Sequence, residues 1–111
     1  MKRVKYIHVV AHTVRLNHNQ KRDFVDAWNR AVQTRMQRQP GYITAWITSS
    51  PNDDEIVITS QWESETHYRA WYNSETKMRV MAHIGSYIRQ HIGEKTYHVP
   101  MEDHTATAAI E

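Results

Sequence analysis

The run Gln61-Trp62-Glu63-Ser64-Glu65-Thr66-His67-Tyr68-Arg69-Ala70-Trp71-Tyr72-Asn73-Ser74 decides the fold. Immediately upstream, Glu55-Ile56-Val57-Ile58-Thr59-Ser60-Gln61-Trp62 is rich in β-branched residues and ends in a large aromatic, the composition of a strand. Downstream, Tyr68 and Trp71 recur at helical spacing, so strand turns to helix at the Trp62-Glu63-Ser64 junction. The Ser64 hydroxyl can accept an otherwise unpaired amide at the helix start. Ser74 stands in the same relation to a following helical segment.

Upstream of this junction, Lys5 to Leu16 alternates as a strand does. Tyr6, His8, Val10, His12, Val14 and Leu16 share one face, and Ile7, Val9, Ala11 and Thr13 the other. Both faces are partly apolar, which predicts a sheet covered by helices on one side and by a partner on the other. Asn17-His18-Asn19 reads as a turn, with Asn19 as N-cap of a helix from Gln20 to about Arg38. Within that helix Phe24, Ala27, Trp28, Ala31, Val32 and Met36 form one apolar stripe. Pro40-Gly41 ends it, and Tyr42 to Thr48 is a second strand. The turn-forming Ser49-Ser50-Pro51-Asn52-Asp53-Asp54 joins that strand to Glu55–Trp62 as a hairpin.

Downstream, the spacing predicts a short helix over Glu65–Asn73 and a second from about Glu75 to Arg89, with Gly85 as its weak point. Gly93 closes this region. Thr96 to Met101 reads as a last strand, which Pro100 assigns to an edge or terminal position. Residues 102–111 have little to bury and are expected to form a loose C-terminal tail after a single domain spanning 1–101. The resulting order β-α-β-β-α-β is that of an α+β, ferredoxin-like sandwich.

The chain has 111 residues, enough for one domain with a real core. Four Trp and six Tyr against one Phe place most aromatic mass on side chains with a polar handle, which suits a pocket or an interface. The chain has no Cys, so disulfides, thiolate metal sites and thiol catalysis are excluded together. No charged-then-apolar leader opens it, and no apolar run approaches the roughly 18 residues that span a bilayer, so a cytoplasmic protein without membrane contact is expected. Fourteen basic residues against twelve acidic give a formal charge of +2. The basic residues of the first helix are interrupted by Asp23 and Asp26, and no nucleic-acid reader motif is present, so no nucleic-acid partner is expected. Eight His are present without an HExxH or other close metal-ligand spacing.

Trp62-Glu63-Ser64-Glu65, Ala70-Trp71 and Ser74, with Pro40-Gly41-Tyr42 ahead of them, resemble the antibiotic biosynthesis monooxygenase (ABM) family, which includes haem-degrading enzymes; the resemblance runs from about residue 5 to about residue 90. It implies that two copies pair their sheets into a dimeric α+β barrel, a homodimer, which accounts for the two-sided apolar first strand. It implies oxygen-dependent monooxygenase activity, with haem bound and degraded. By the same resemblance Trp71, on one helix face with Tyr68, packs against the porphyrin; the bare spacing equally allows a core tryptophan. His12 falls where haem-degrading members carry an asparagine near bound oxygen. There an imidazole would donate to dioxygen, bind iron or act as a base; the alternative is a hydrogen-bonded histidine between sheet and helix.

Relatives that degrade haem place the iron ligand nine or ten residues after the tryptophan. Met81 stands ten beyond Trp71, and the nearest histidine is His83. His83 is therefore the expected metal ligand, with Met81 beside the cofactor. On a continuous helix, however, Met81 and His83 point about 200° apart, and Thr76, Arg79, His83, Ser86 and Gln90 share a polar stripe. Two other functions fit the same residues. One is a cofactor-independent monooxygenase that oxidises a polycyclic phenol to a quinone, drawing on Trp71, Tyr72, His12 and Arg79. The other is a non-catalytic dimer that binds a small aromatic molecule or haem.

Overall fold

The computed structural model describes residues 5–101, so the expected tail at 102–111 lies outside the described residues. The elements follow as β1 (Lys5–Leu16), α1 (Lys21–Arg35), β2 (Tyr42–Ser49), β3 (Glu55–Trp62), α2 (Glu65–Tyr72), α3 (Glu75–Ile84) and β4 (Ile88–Met101). Single 3₁₀ turns at Met36–Arg38 and Gly85–Tyr87 close α1 and α3. The sheet order is β2-β3-β1-β4, with every neighbouring pair antiparallel. Each helical connection therefore joins two parallel strands that flank a third, and the expected ferredoxin-like fold is the one observed.

Both serine caps form. Ser64 Oγ accepts from the His67 amide at 3.1 Å and Ser74 Oγ from the Lys77 amide at 3.0 Å, which starts α2 and α3 where the sequence predicts. Asn19 does not cap α1. It takes a left-handed φ of 62°, which its short polar side chain tolerates, and Gln20 stands at the cap without a side-chain bond. The turn is held from the other end of the fold instead, by bonds from the Asn17 amide to the Tyr87 carbonyl and from its side chain to the Ser86 carbonyl, both 2.9 Å.

The larger departure is at α3 and β4. The helix expected to reach Arg89 stops at Ile84, and the strand expected at Thr96 begins at Ile88. The open edge of β1 explains both differences. Its amides and carbonyls need partners along their whole length, and residues 88–101 supply them from Leu16↔Ile88 to Lys5↔Met101. The register shifts between Thr13 and Val14, where Ile92 is the extra residue, so Gly93 lies inside the strand rather than ending it. Pro100 is accommodated because β4 is an edge strand.

Val14, Leu16, Phe24, Ile56 and Trp62 are almost fully buried between the sheet and the helices, and Trp28, Val32, Val80 and Ile84 complete the core. Register assigns the even-numbered residues of β1 to this inner face. On the opposite face Ile7, Val9 and Ala11 lie beside Trp46, Tyr97 and Val99, which are 41%, 50% and 44% exposed. Among the described residues no helix is long and apolar enough to cross a membrane.

Candidate functional site

A cavity of about 470 Å³ separates the inner face of the sheet from the helices. Val10, His12, Val14, Ile58 and Ser60 form its floor, because their strand parity points them inward. One wall comes from Trp28, Val32 and Met36. Tyr68, Trp71 and Tyr72 of α2 and Lys77, Val80, Met81 and Ile84 of α3 form the other. Trp71 is buried and stacks on Trp62, with ring centroids 6.1 Å apart and planes 25° from parallel. Trp62 is fully buried and donates from its indole nitrogen to Ser60 Oγ at 3.0 Å, so the aromatic wall is fixed by packing and by a satisfied polar contact.

The polar groups on this apolar lining concentrate around His12. Its Nδ1 lies 3.6 Å from a Glu94 carboxylate oxygen, and its Nε2 lies 3.3 Å from His91 Nδ1. Cross-strand register creates the arrangement, since His12 pairs with Glu94, and its neighbour Val14 pairs with His91 across the bulge. Burial lowers the His12 pKa below the ordinary imidazole range; Glu94 opposes that shift, while His91 and Lys77 add to it. The ring is thus neutral at neutral pH. Glu94 favours the tautomer with the proton on Nδ1, leaving Nε2 as the basic nitrogen. Lys77 has its ammonium 4.1 Å from the centre of the Tyr72 ring, and burial lowers its pKa. Burial raises the Tyr68 phenol well above the ordinary value, with Glu94 and Tyr72 contributing, so it remains a donor.

Four of the predicted site residues, His12, Tyr68, Trp71 and Met81, meet in this cavity. Trp71 is a buried core residue, as its spacing allows, and also forms a wall of the cavity. His83 is not brought to them. It is exposed on the far side of α3, in a shallow depression shared with Ala27, Arg30, Ala31, Arg35 and Tyr87. An unbroken α3 keeps Met81 and His83 about 200° apart, and the helix ends only after both. The donor set does not fit a haem held in the cavity and ligated by His83. Arg79 is likewise exposed and pairs with Glu75 on its own helix. His67 bonds Ser64 at 2.7 Å beside Gly41, so it is part of the α2 start rather than of the cavity.

The family model described as antibiotic biosynthesis monooxygenase, ABM, matches residues 7–82. The chain belongs to this family. Protein SchA of Streptomyces halstedii is 32% identical over 68 residues, 60% of this chain and 18% of the relative. The 42.8 kDa protein in the whiE locus of Streptomyces coelicolor is 27% identical over 70 residues, 62% of this chain and 17% of the relative. The chain therefore spans less than a fifth of the length of these curated relatives. A Chloroflexus aurantiacus structure described as an antibiotic biosynthesis monooxygenase superposes with a TM-score of 0.70 at 18% identity, over 88% of this chain and 96% of that one. One from Bordetella bronchiseptica, similarly described, does so with 0.73 at 12%, over 88% and 99%. These two likenesses show the ABM fold.

The ABM match takes in His12, Tyr68, Trp71, Lys77 and Met81 but stops ahead of β4. Glu94 and His91, which complete the His12 cluster, lie beyond it. Sequence reasoning missed both because residues 88–95 read locally as helix end and turn. Read as a strand, Glu94, Thr96 and His98 would have appeared as a polar face of period two. Lys77 carried no signal of its own in the sequence.

Proposed function

We propose that this ABM domain is an oxygen-dependent monooxygenase that oxidises a polycyclic phenol to a quinone without haem. The observation that carries this reading is the position of His12, held between Glu94 and His91 on the floor of a cavity walled by Trp71, Tyr68 and Tyr72. A flat aromatic substrate suits that wall, and an apolar chamber with a few convergent polar groups suits a small organic ligand. His12 Nε2 exchanges its contact with the exposed His91 for the phenolic hydroxyl and takes its proton, while Glu94 stabilises the imidazolium that forms. The Lys77 ammonium and the Tyr68 hydroxyl stabilise the resulting anion. The electron-rich ring then reduces dioxygen itself: one oxygen atom bonds to a ring carbon, the other leaves as water, and loss of the ring hydrogen and of the phenolic proton yields the quinone.

The active unit in this proposal is a homodimer formed through the outer face of the sheet. On the face opposite the helices Trp46, Tyr97 and Val99 expose an apolar surface around the already buried Ile7 and Val9, and self-pairing would bury it.

Oxygen uptake tests the activity. With a panel of two- to four-ring phenols, consumption of one dioxygen per quinone, one labelled oxygen atom in the product and loss of activity in His12→Ala are expected. Phenol binding without oxygen uptake across the panel would overturn the enzymatic reading and leave a ligand-binding dimer.

A further inference from the structure

Beside the main cavity, and separated from it by Tyr68 and Tyr72, lies a second chamber of about 430 Å³ with a different lining. Its polar wall is made by His8, Glu65, Arg69, Glu94, Thr96 and His98. His8 on β1 and His98 on β4 are cross-strand partners on the inner face, and His8 Nδ1 lies 3.0 Å from His98 Nε2. Glu65, the first residue of α2, brings a carboxylate oxygen to them. One ligand atom from each of the three lies within 4.8 Å of the others.

From this geometry we infer that His8, His98 and Glu65 form a binding site for a divalent first-row transition metal ion. Two imidazole nitrogens bound at right angles at about 2.1 Å stand about 3.0 Å apart, so the observed histidine pair already has the spacing of adjacent ligands. Two imidazoles and one carboxylate on one side of an ion suit iron, cobalt, nickel or zinc, whereas magnesium and calcium prefer all-oxygen sets. The remaining positions face the chamber, where water or an oxygen-bearing ligand can enter.

Two further features support the assignment. Arg69 engages Glu65 through Oε2, at 2.8 Å from Nε, which orients the carboxylate and leaves Oε1 for the ion. Glu94 adds a second carboxylate, so Arg69 does not cancel the chamber's negative charge. The three ligands are distinct from His12 and His91, Glu94 borders both sites, and occupation of the metal site is read independently of any turnover.

The test is a cobalt(II) titration of the untagged, chelator-treated chain, followed by visible absorption and calorimetry. Wild type should bind one equivalent saturably, and excess magnesium should not displace it. His98→Ala should weaken binding by about tenfold or more, and Glu65→Gln similarly; both positions are exposed, so neither change threatens the core. His83→Ala, on the far face of α3, should bind as wild type does. No saturable binding, displacement by magnesium, or unchanged affinity in His98→Ala would overturn the assignment.

Discussion

His12 is the residue on which strand parity, register and electrostatics converge. Alternation along β1 points it inward, Glu94 and His91 reach it across β4, and burial keeps it neutral. If His12 is the base, kcat/KM should be flat at neutral pH and fall on acidification. The controlling pKa should lie below 6.5, the ordinary imidazole value. His12→Ala should lower kcat/KM by about 10²- to 10⁴-fold and remove that acid limb; a limb retained in the variant would assign the proton to another group. The same shifts act on stability. His8 and His12 both bind protons less readily folded than unfolded. Below about pH 6.5 the unfolded chain therefore takes up protons that the native chain does not. Their contribution is fully present above that value and is lost as pH falls. Thermal denaturation across pH 5 to 7 should show this slope, reduced in His12→Gln.

The elements owe their ends to single residues. Gly41 sits at φ 81°, and a Cβ there would lie 2.2 Å from the His67 ring, itself bonded to Ser64. Gly41→Ala should therefore destabilise the chain by more than about 1 kcal/mol from the backbone conformation alone, read by denaturant unfolding. Displacement of His67 from the α2 cap would add to that cost. At Trp62, the last residue of β3, Ala substitution removes the ring stacked on Trp71 and leaves a cavity, at a cost of about 3–5 kcal/mol. A loss below 1 kcal/mol in the same assay would show that the aromatic wall repacks freely.

In the whole molecule, the sheet has one face under helices and the other open in the single chain. If the open face pairs with a second copy, wild type should sediment as a dimer at micromolar concentration. Placing a charge within the apolar patch, as in Trp46→Glu with Tyr97→Glu, should shift it to monomer without unfolding it, since both side chains are 41% or more exposed. Wild type sedimenting as a monomer would contradict the dimer. A dimer retained in the double variant would move the interface elsewhere.

The local sequence determined most of the elements. Alternation in Lys5–Leu16 and Glu55–Trp62, the apolar stripe of α1, and the serines ahead of α2 and α3 are short-range physics, and each appears where it was predicted. Strand parity was enough to turn His12 inward, and helical spacing to set Tyr68 and Trp71 together. Thr96–Met101 was read as a strand, but residues 88–95 were not legible in this way. Their helix or strand preference is weak, and they form a strand because β1 offers an open edge whose hydrogen bonds would otherwise go unpaired. That tertiary decision brought Glu94 and His91 to His12, and His98 to His8. It left His83 on the outside of α3, where the phase of a continuous helix and the position of the sheet place it.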